Sequence, residues 1–196
     1  MPLWGATDSD ESKPKNLTTA EKKQVFANAS GWVLEAGSAL SGNDNTSATP
    51  EVLVAIGGLA TSIGAADVTE VEWITTAADK SAGFTLSVRV RYNEAVTVTG
   101  SPTIAVTNGN QGSGSGRGPH TLVYASGTGT NELIFNLAIA AANAATNADD
   151  ILTIGAQNVL KPGGATIKDT AGTNSDSAVA ISGAQGTAAG TLTVVA

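Results

Sequence analysis

The sequence predicts a mainly β protein, an antiparallel sandwich preceded by an extended arm and a short helix. Three observations carry that expectation. From about residue 68 onward, apolar and polar residues alternate with a period of two, the spacing of side chains on opposite faces of a strand. Clusters of Gly, Asn, Ser and Pro interrupt the alternation at short intervals, as turns do. The 196 residues are 41% apolar but only 4% aromatic, so the core must be built from Val, Ile, Leu and Ala, a palette that suits strand packing.

The first 17 residues read as an arm. Asp8, Asp10, Glu11, Lys13 and Lys15 crowd a stretch that also carries Pro2 and Pro14. Thr18 and Glu21 then have the spacing of a capping box, in which each side chain satisfies a backbone donor at a helix start. A short helix is expected through Ala27, ending before Gly31. Trp32-Val33-Leu34 is open between a strand and a docking plug, 42–47 is a polar loop, and 51–56 has the β-branched density of a buried strand between Pro50 and Gly57-Gly58.

In 68–75, Val71 and Trp73 face a core, while Glu70 and Glu72 share the other face with Val68 and Ile74. Phe84, Leu86, Val88, Val90 and Tyr92 alternate with Thr85, Ser87, Arg89, Arg91 and Asn93, which predicts one buried and one wet face. Further strands are expected at 103–107, 121–125, 133–139, 151–154, 178–181 and 191–195. The stretch 108–118 reads as a long loop, 138–148 as at most one helical turn between sheets, and 183–190 as a loose linker. The last strand is free to pair with 52–56 or to join a neighbour's sheet edge.

Composition excludes several chemistries. Ten Lys and Arg against 17 Asp and Glu give a net charge of −7, which disfavours nucleic acid and anionic membranes as partners. The absence of Cys removes disulfides, thiolate metal sites and Cys nucleophiles. No apolar run approaches the roughly 18 residues that span a bilayer, and the opening Met1-Pro2-Leu3-Trp4 lacks the pattern of a signal peptide, so a soluble, unprocessed chain is expected. His120 is the sole histidine, without a G-x-S-x-G or H-E-x-x-H motif, and reads as a loop residue. Asp149, Asp150 and the 169–176 segment fit turn-capping Asx residues better than an EF-hand. Glu70, Glu72 and Glu94 read as a solvated face rather than a carboxylate pair for glycoside hydrolysis. The glycines of 109–118 lack a P-loop and its helix, and Arg89 and Arg91 read as a wet stripe. No cofactor or metal is expected.

Two resemblances add to this reading. The runs Tyr92-Asn93-Glu94-Ala95-Val96-Thr97-Val98-Thr99-Gly100-Ser101-Pro102, Tyr124-Ala125-Ser126-Gly127-Thr128-Gly129-Thr130-Asn131-Glu132-Leu133-Ile134-Phe135 and Ile167-Lys168-Asp169-Thr170-Ala171-Gly172 resemble, in order, the motifs of bacterial immunoglobulin-like repeats. This likeness covers about 68–183 and implies an Ig-like sandwich. The opening Met1-Pro2-Leu3-Trp4-Gly5, the acidic and basic run 8–15, Gly31-Trp32-Val33 and Pro50-Glu51-Val52-Leu53-Val54-Ala55-Ile56 resemble virion structural proteins of tailed phages, cyanophages especially.

Together these imply a division into 1–66, an arm, helix and anchoring segment, and 67–196, an Ig-like sandwich with a C-terminal strand. The implied function is a non-enzymatic virion protein, a capsid decoration or cement protein. Its partner would be the major capsid protein or another shell protein, with a homo-oligomer also open. Leu3, Trp4, Val25, Phe26 and Trp32 are the candidate interface residues, since Trp and its like carry interface energy. For all five the alternative is the protein's own core. The competing function is a neck, tail or fibre component with a receptor- or glycan-binding Ig-like module, using Tyr92, Tyr124 or His120 as an aromatic platform.

Overall fold

The computed structural model describes residues 13, 14, 16–109, 119–141, 146–171 and 176–196. Leu3, Trp4 and most of the expected 108–118 loop lie outside them, as do parts of the alanine-rich stretch and of the 169–176 turn. Strands account for 48% of the chain and helices for 11%, so a mainly β protein is observed.

The capping box forms as its spacing requires. Glu21 N donates to Thr18 Oγ1 at 3.2 Å and Thr18 N donates to Glu21 Oε2 at 2.7 Å. Helix α1 nevertheless spans only Thr19–Lys22. The expected continuation to Ala27 is instead strand β1, Val25–Asn28, zipped antiparallel to β2, Gly31–Leu34. A helix this short has little propagation to offset its nucleation, whereas Val25 and Phe26 suit a pleated surface. The tight turn relies on Gly31, whose φ is +134° and where a Cβ would sit 2.0 Å from the Val54 carbonyl oxygen. Strand β3, Glu51–Ala55, pairs with β2 and completes a three-stranded meander. Helix α2, Leu59–Ser62, covers one face. Trp32 is therefore a strand residue.

The remainder is built from β4 (Val68–Trp73), β5 (Ala78–Asp79), β6 (Phe84–Thr99), β7 (Thr103–Gly109), β8 (His120–Ser126), β9 (Thr130–Ile139) and β10 (Ile151–Thr153). A small pair, β11 (Gln157–Asn158) and β13 (Ala180–Ile181), flanks β12 (Thr166–Asp169); then come helix α3 (Gly183–Ala189) and β14 (Thr191–Val195). The expected loose linker at 183–190 is thus a helix. Ser182 and Gln185 form a second capping box, and Gln185 Nε2 donates to the Val68 carbonyl at 2.8 Å.

The hydrogen-bonded path runs β3-β2-β1-β6-β9-β8-β7-β10-β14-β5, with β4 and β12 on β6. The sheet is mixed, because β1 meets β6 and β14 meets β5 in parallel. A flat path of ten strands would be about 40 Å wide, yet its far end returns to β4. Trp73 Nε1 donates to the Gly190 carbonyl at 3.3 Å. Val71, Leu86, Val88, Val90, Ile104, Leu122, Phe135, Leu152, Ile167 and Val194 accordingly share one core. Strand β14 pairs with β10 and β5, so neither 52–56 nor a neighbour's edge is needed to hold it. A second cluster, Val25, Ala27, Trp32, Leu34, Leu59 and Ala60, lies under the meander.

The alternation in β6 buries Leu86, Val88, Val90 and Tyr92 as expected. The opposite face is not simply wet. Glu70 and Arg91 are only 6% and 5% exposed, because the start of the chain folds over them.

Candidate interaction site

The contact between the N-terminal meander and strand β6 carries a polar network. One ladder pair, Ala27 with Glu94, joins β1 to β6, and beside it Arg91 reaches out from β6. Its Nη1 donates to both oxygens of Glu35 at 2.6 Å and to the Lys23 carbonyl at 3.0 Å. Its Nη2 lies 2.8 Å from Glu132 and 3.2 Å from Glu72. Arg89 braces the same carboxylates, 2.9 Å from Glu72 and 3.3 Å from Glu132. Asn131 Nδ2 donates to Glu35 at 2.7 Å, and Lys23 pairs with Glu70.

Burial works against the Arg91 charge, but Glu35, Glu132 and Glu72 more than offset it and hold the guanidinium above its usual value. Burial, helped by Glu35, pushes the Glu132 carboxyl upward against the pull of Arg91 and Arg89. A planar fork with five donors is suited to gathering several carboxylates at once. That Glu70 and Glu72 share one strand face and Arg89 and Arg91 another was legible in the sequence; that the two stripes meet and that Glu35 covers them was not.

The five candidate interface residues separate. Val25 and Trp32 are 0% and 1% exposed and fill the meander's own core, so they are withdrawn from any partner. Leu3 and Trp4 lie outside the described residues. Phe26 is half-buried and lines a cavity of about 340 Å³ with Pro50, Ala48, Ala95 and Thr130. Phe26 pairs with Val33, and Val33 with Val52. Directly opposed residues share a face of a sheet. An apolar row therefore runs from the Phe26 cavity through the fully buried Val33 to β3, where Val52 is 46% and Leu53 36% exposed. Strand β3 ends the sheet path, and among the described residues nothing pairs with its outer edge. A register shift between Trp32 and Val33 makes Leu53 the extra residue of a bulge.

The other residues singled out from the sequence are placed as follows. His120 opens strand β8 and is buried, not in a loop. Its Nε2 lies 3.1 Å from Thr146 Oγ1 and 3.4 Å from Asn108 Nδ2. Burial lowers its pKa, opposed by Asp150. Asp150 caps a turn, accepting from Asn147 N at 2.6 Å and Asn108 Nδ2 at 3.0 Å, and Asp169 accepts from Ala171 N at 2.8 Å. Tyr92 is buried, and Tyr124 packs edge-on against Phe135 with its hydroxyl accepting from Thr128 N. These three rings do not form an exposed platform for a glycan. Glu94, fully buried, is pushed up to about 8 by burial and then by Asp169 and Asp67. Among the described residues no group of three or more His, Asp or Glu is arranged to hold a metal ion, and no helix is long and apolar enough to cross a membrane. Compared with protein-family models, with curated proteins and with solved structures, the chain matches none.

Proposed function

We propose that the chain is a non-enzymatic virion structural protein of a tailed phage, most simply a capsid decoration protein, in which an Ig-like sandwich carries an N-terminal docking unit. The observation that carries this reading is the outer edge of β3, unpaired among the described residues, with Val52 and Leu53 exposed on it. An open edge with apolar side chains is a template for another chain's strand, and proteins that stay single normally blunt such edges.

The Ig-like assignment is supported by connectivity. Taking β4, β6, β7, β8, β9, β10 and β14 as strands A to G, the path reads A-B-E-D-C-F-G; it contains the A-B-E-D and C-F-G neighbours of an immunoglobulin constant-type sandwich, with D also paired to C. The phage assignment is supported by the sequence resemblance, and fold alone does not fix function. A shell protein such as the major capsid protein is the partner in this reading, and the virion is where the chain resides.

The test is co-sedimentation of the full chain with phage shells that lack it. Wild type is expected to bind at saturable copy number, and the edge variant Val52→Lys/Leu53→Lys to bind at least tenfold more weakly while retaining its fold by circular dichroism. Equal binding by the two would remove the docking edge. No binding by wild type would remove the virion reading.

A further inference from the structure

We propose that a cavity at the seam of α1, β4 and α3 binds carboxylate side chains from an acidic segment of the shell partner. This rests on the docking reading and adds a second contact, chemically unlike the apolar edge. The cavity holds about 390 Å³ and is lined by Lys13, Lys22, Lys23, Thr19, Thr69 and Ala188, with Glu70 beside them. Among the lining residues three lysines face one carboxylate, in a chain whose net charge is −7.

The cations are unevenly used. Lys23 pairs with Glu70. Lys13 Nζ donates to the Lys22 carbonyl at 2.7 Å. Among the described residues neither Lys13 nor Lys22 has a carboxylate within ion-pairing distance. An ammonium carries three donors, so Lys13 has two left for a guest. The lysine stems, the threonine methyls and Ala188 supply apolar wall for the methylenes of Glu or Asp.

The electrostatics around Lys13 favour an entering anion. Burial lowers its pKa to about 8; Glu35 and Glu70 oppose that, and Arg91 and Lys22 add to it. A carboxylate entering the cavity favours the charged ammonium, so binding near pH 8 draws in a proton. A nucleic-acid backbone is the weaker candidate, because it must approach a protein of the same sign over a long track.

The experiment uses the full chain and a fluorescein-labelled octaglutamate peptide, read by anisotropy, with calorimetry at pH 8 in two buffers of different ionisation heat. Expected are saturable binding, net uptake of up to about half a proton, and at least tenfold weaker binding for Lys13→Gln/Lys22→Gln, with Lys161→Gln unchanged. Lys22→Gln alone, at a helix surface, guards against a folding defect and is expected to weaken binding about threefold. Any of four results overturns the proposal: no binding, binding indifferent to both lysines, inorganic phosphate binding as tightly as the peptide, or binding only after Asp8→Asn/Asp10→Asn/Glu11→Gln. The last would mean that the chain's own acidic residues take the seat. Because the peptide assay needs no shell, it can fail while co-sedimentation succeeds, and the reverse.

Discussion

Replacing Arg91 with Leu removes the cation around which Glu35, Glu72 and Glu132 are gathered. Deleting one partner of a buried ion pair costs about 3–5 kcal/mol, since the survivors are left desolvated and mutually repelling. Here the three carboxylates keep 16%, 31% and 26% of their side-chain exposure, so water offsets part of the loss and the expected cost is near the lower end, about 3 kcal/mol. That is a large share of the stability of an ordinary domain. The loss should fall unevenly, because the network ties the meander to β6. Native-state amide exchange reads this directly: protection of Trp32 and Val33 should drop by that amount, and protection of Leu86 and Val88 by much less. Glu132 already sits above its ordinary pKa through burial and Glu35, and losing Arg91 raises it further. A carboxyl whose folded pKa exceeds its unfolded one regains stability as pH falls through the folded value, so moving from pH 7 to pH 5 should restore part of the loss. A cost under about 1 kcal/mol, or an equal drop in both strands, would refute the view that Arg91 clamps the N-terminal unit.

Other perturbations test separate links. Glu94→Gln should flatten the pH profile of stability. The wild-type carboxyl, raised to about 8, makes folding progressively weaker as pH climbs from the ordinary carboxylate range to about 8; parallel urea-midpoint curves for the two proteins would count against this. Gly127→Ala should cost about 2 kcal/mol or more in urea unfolding, because φ is +112° and the new Cβ would lie 1.9 Å from the Glu132 carbonyl oxygen; a neutral result would mean a different turn. Ser182→Ala should cost about 1 kcal/mol and speed exchange at Gln185, whose N donates to Ser182 Oγ.

Much of the fold was legible because period two is a strong local signal. Val71, Leu86, Val88 and Val90 were placed in the core by alternation alone, and the strands at 121–125 and 133–139 were both legible, although the turn between them, where Gly127 takes a positive φ, was not specified. What failed was non-local or overlooked. Val25 and Phe26 were drawn into a helix by the Thr18 cap, although their own preference is for strand and only pairing with β2 decides the matter. Helix α3 was missed even though Ser182-x-x-Gln185 repeats the Thr18-x-x-Glu21 spacing; its glycines masked the cap. Arg91 and Glu70 were assigned to water since nothing in their own strands says that Glu35 and Lys23 will cover them. Trp32 was open between core and partner, and the second core beneath the meander takes it. The row Phe26-Val33-Val52 depends on register across three strands, which residue types alone do not specify.

The central claim is that the molecule acts through the open edge of its N-terminal meander. Amide exchange on the full chain, free and bound to phage shells, tests it most directly. On binding, β3 amides from Val52 to Ala55 should become at least tenfold more protected, with β14 unchanged. Binding that leaves β3 exchanging as in the free chain would contradict it.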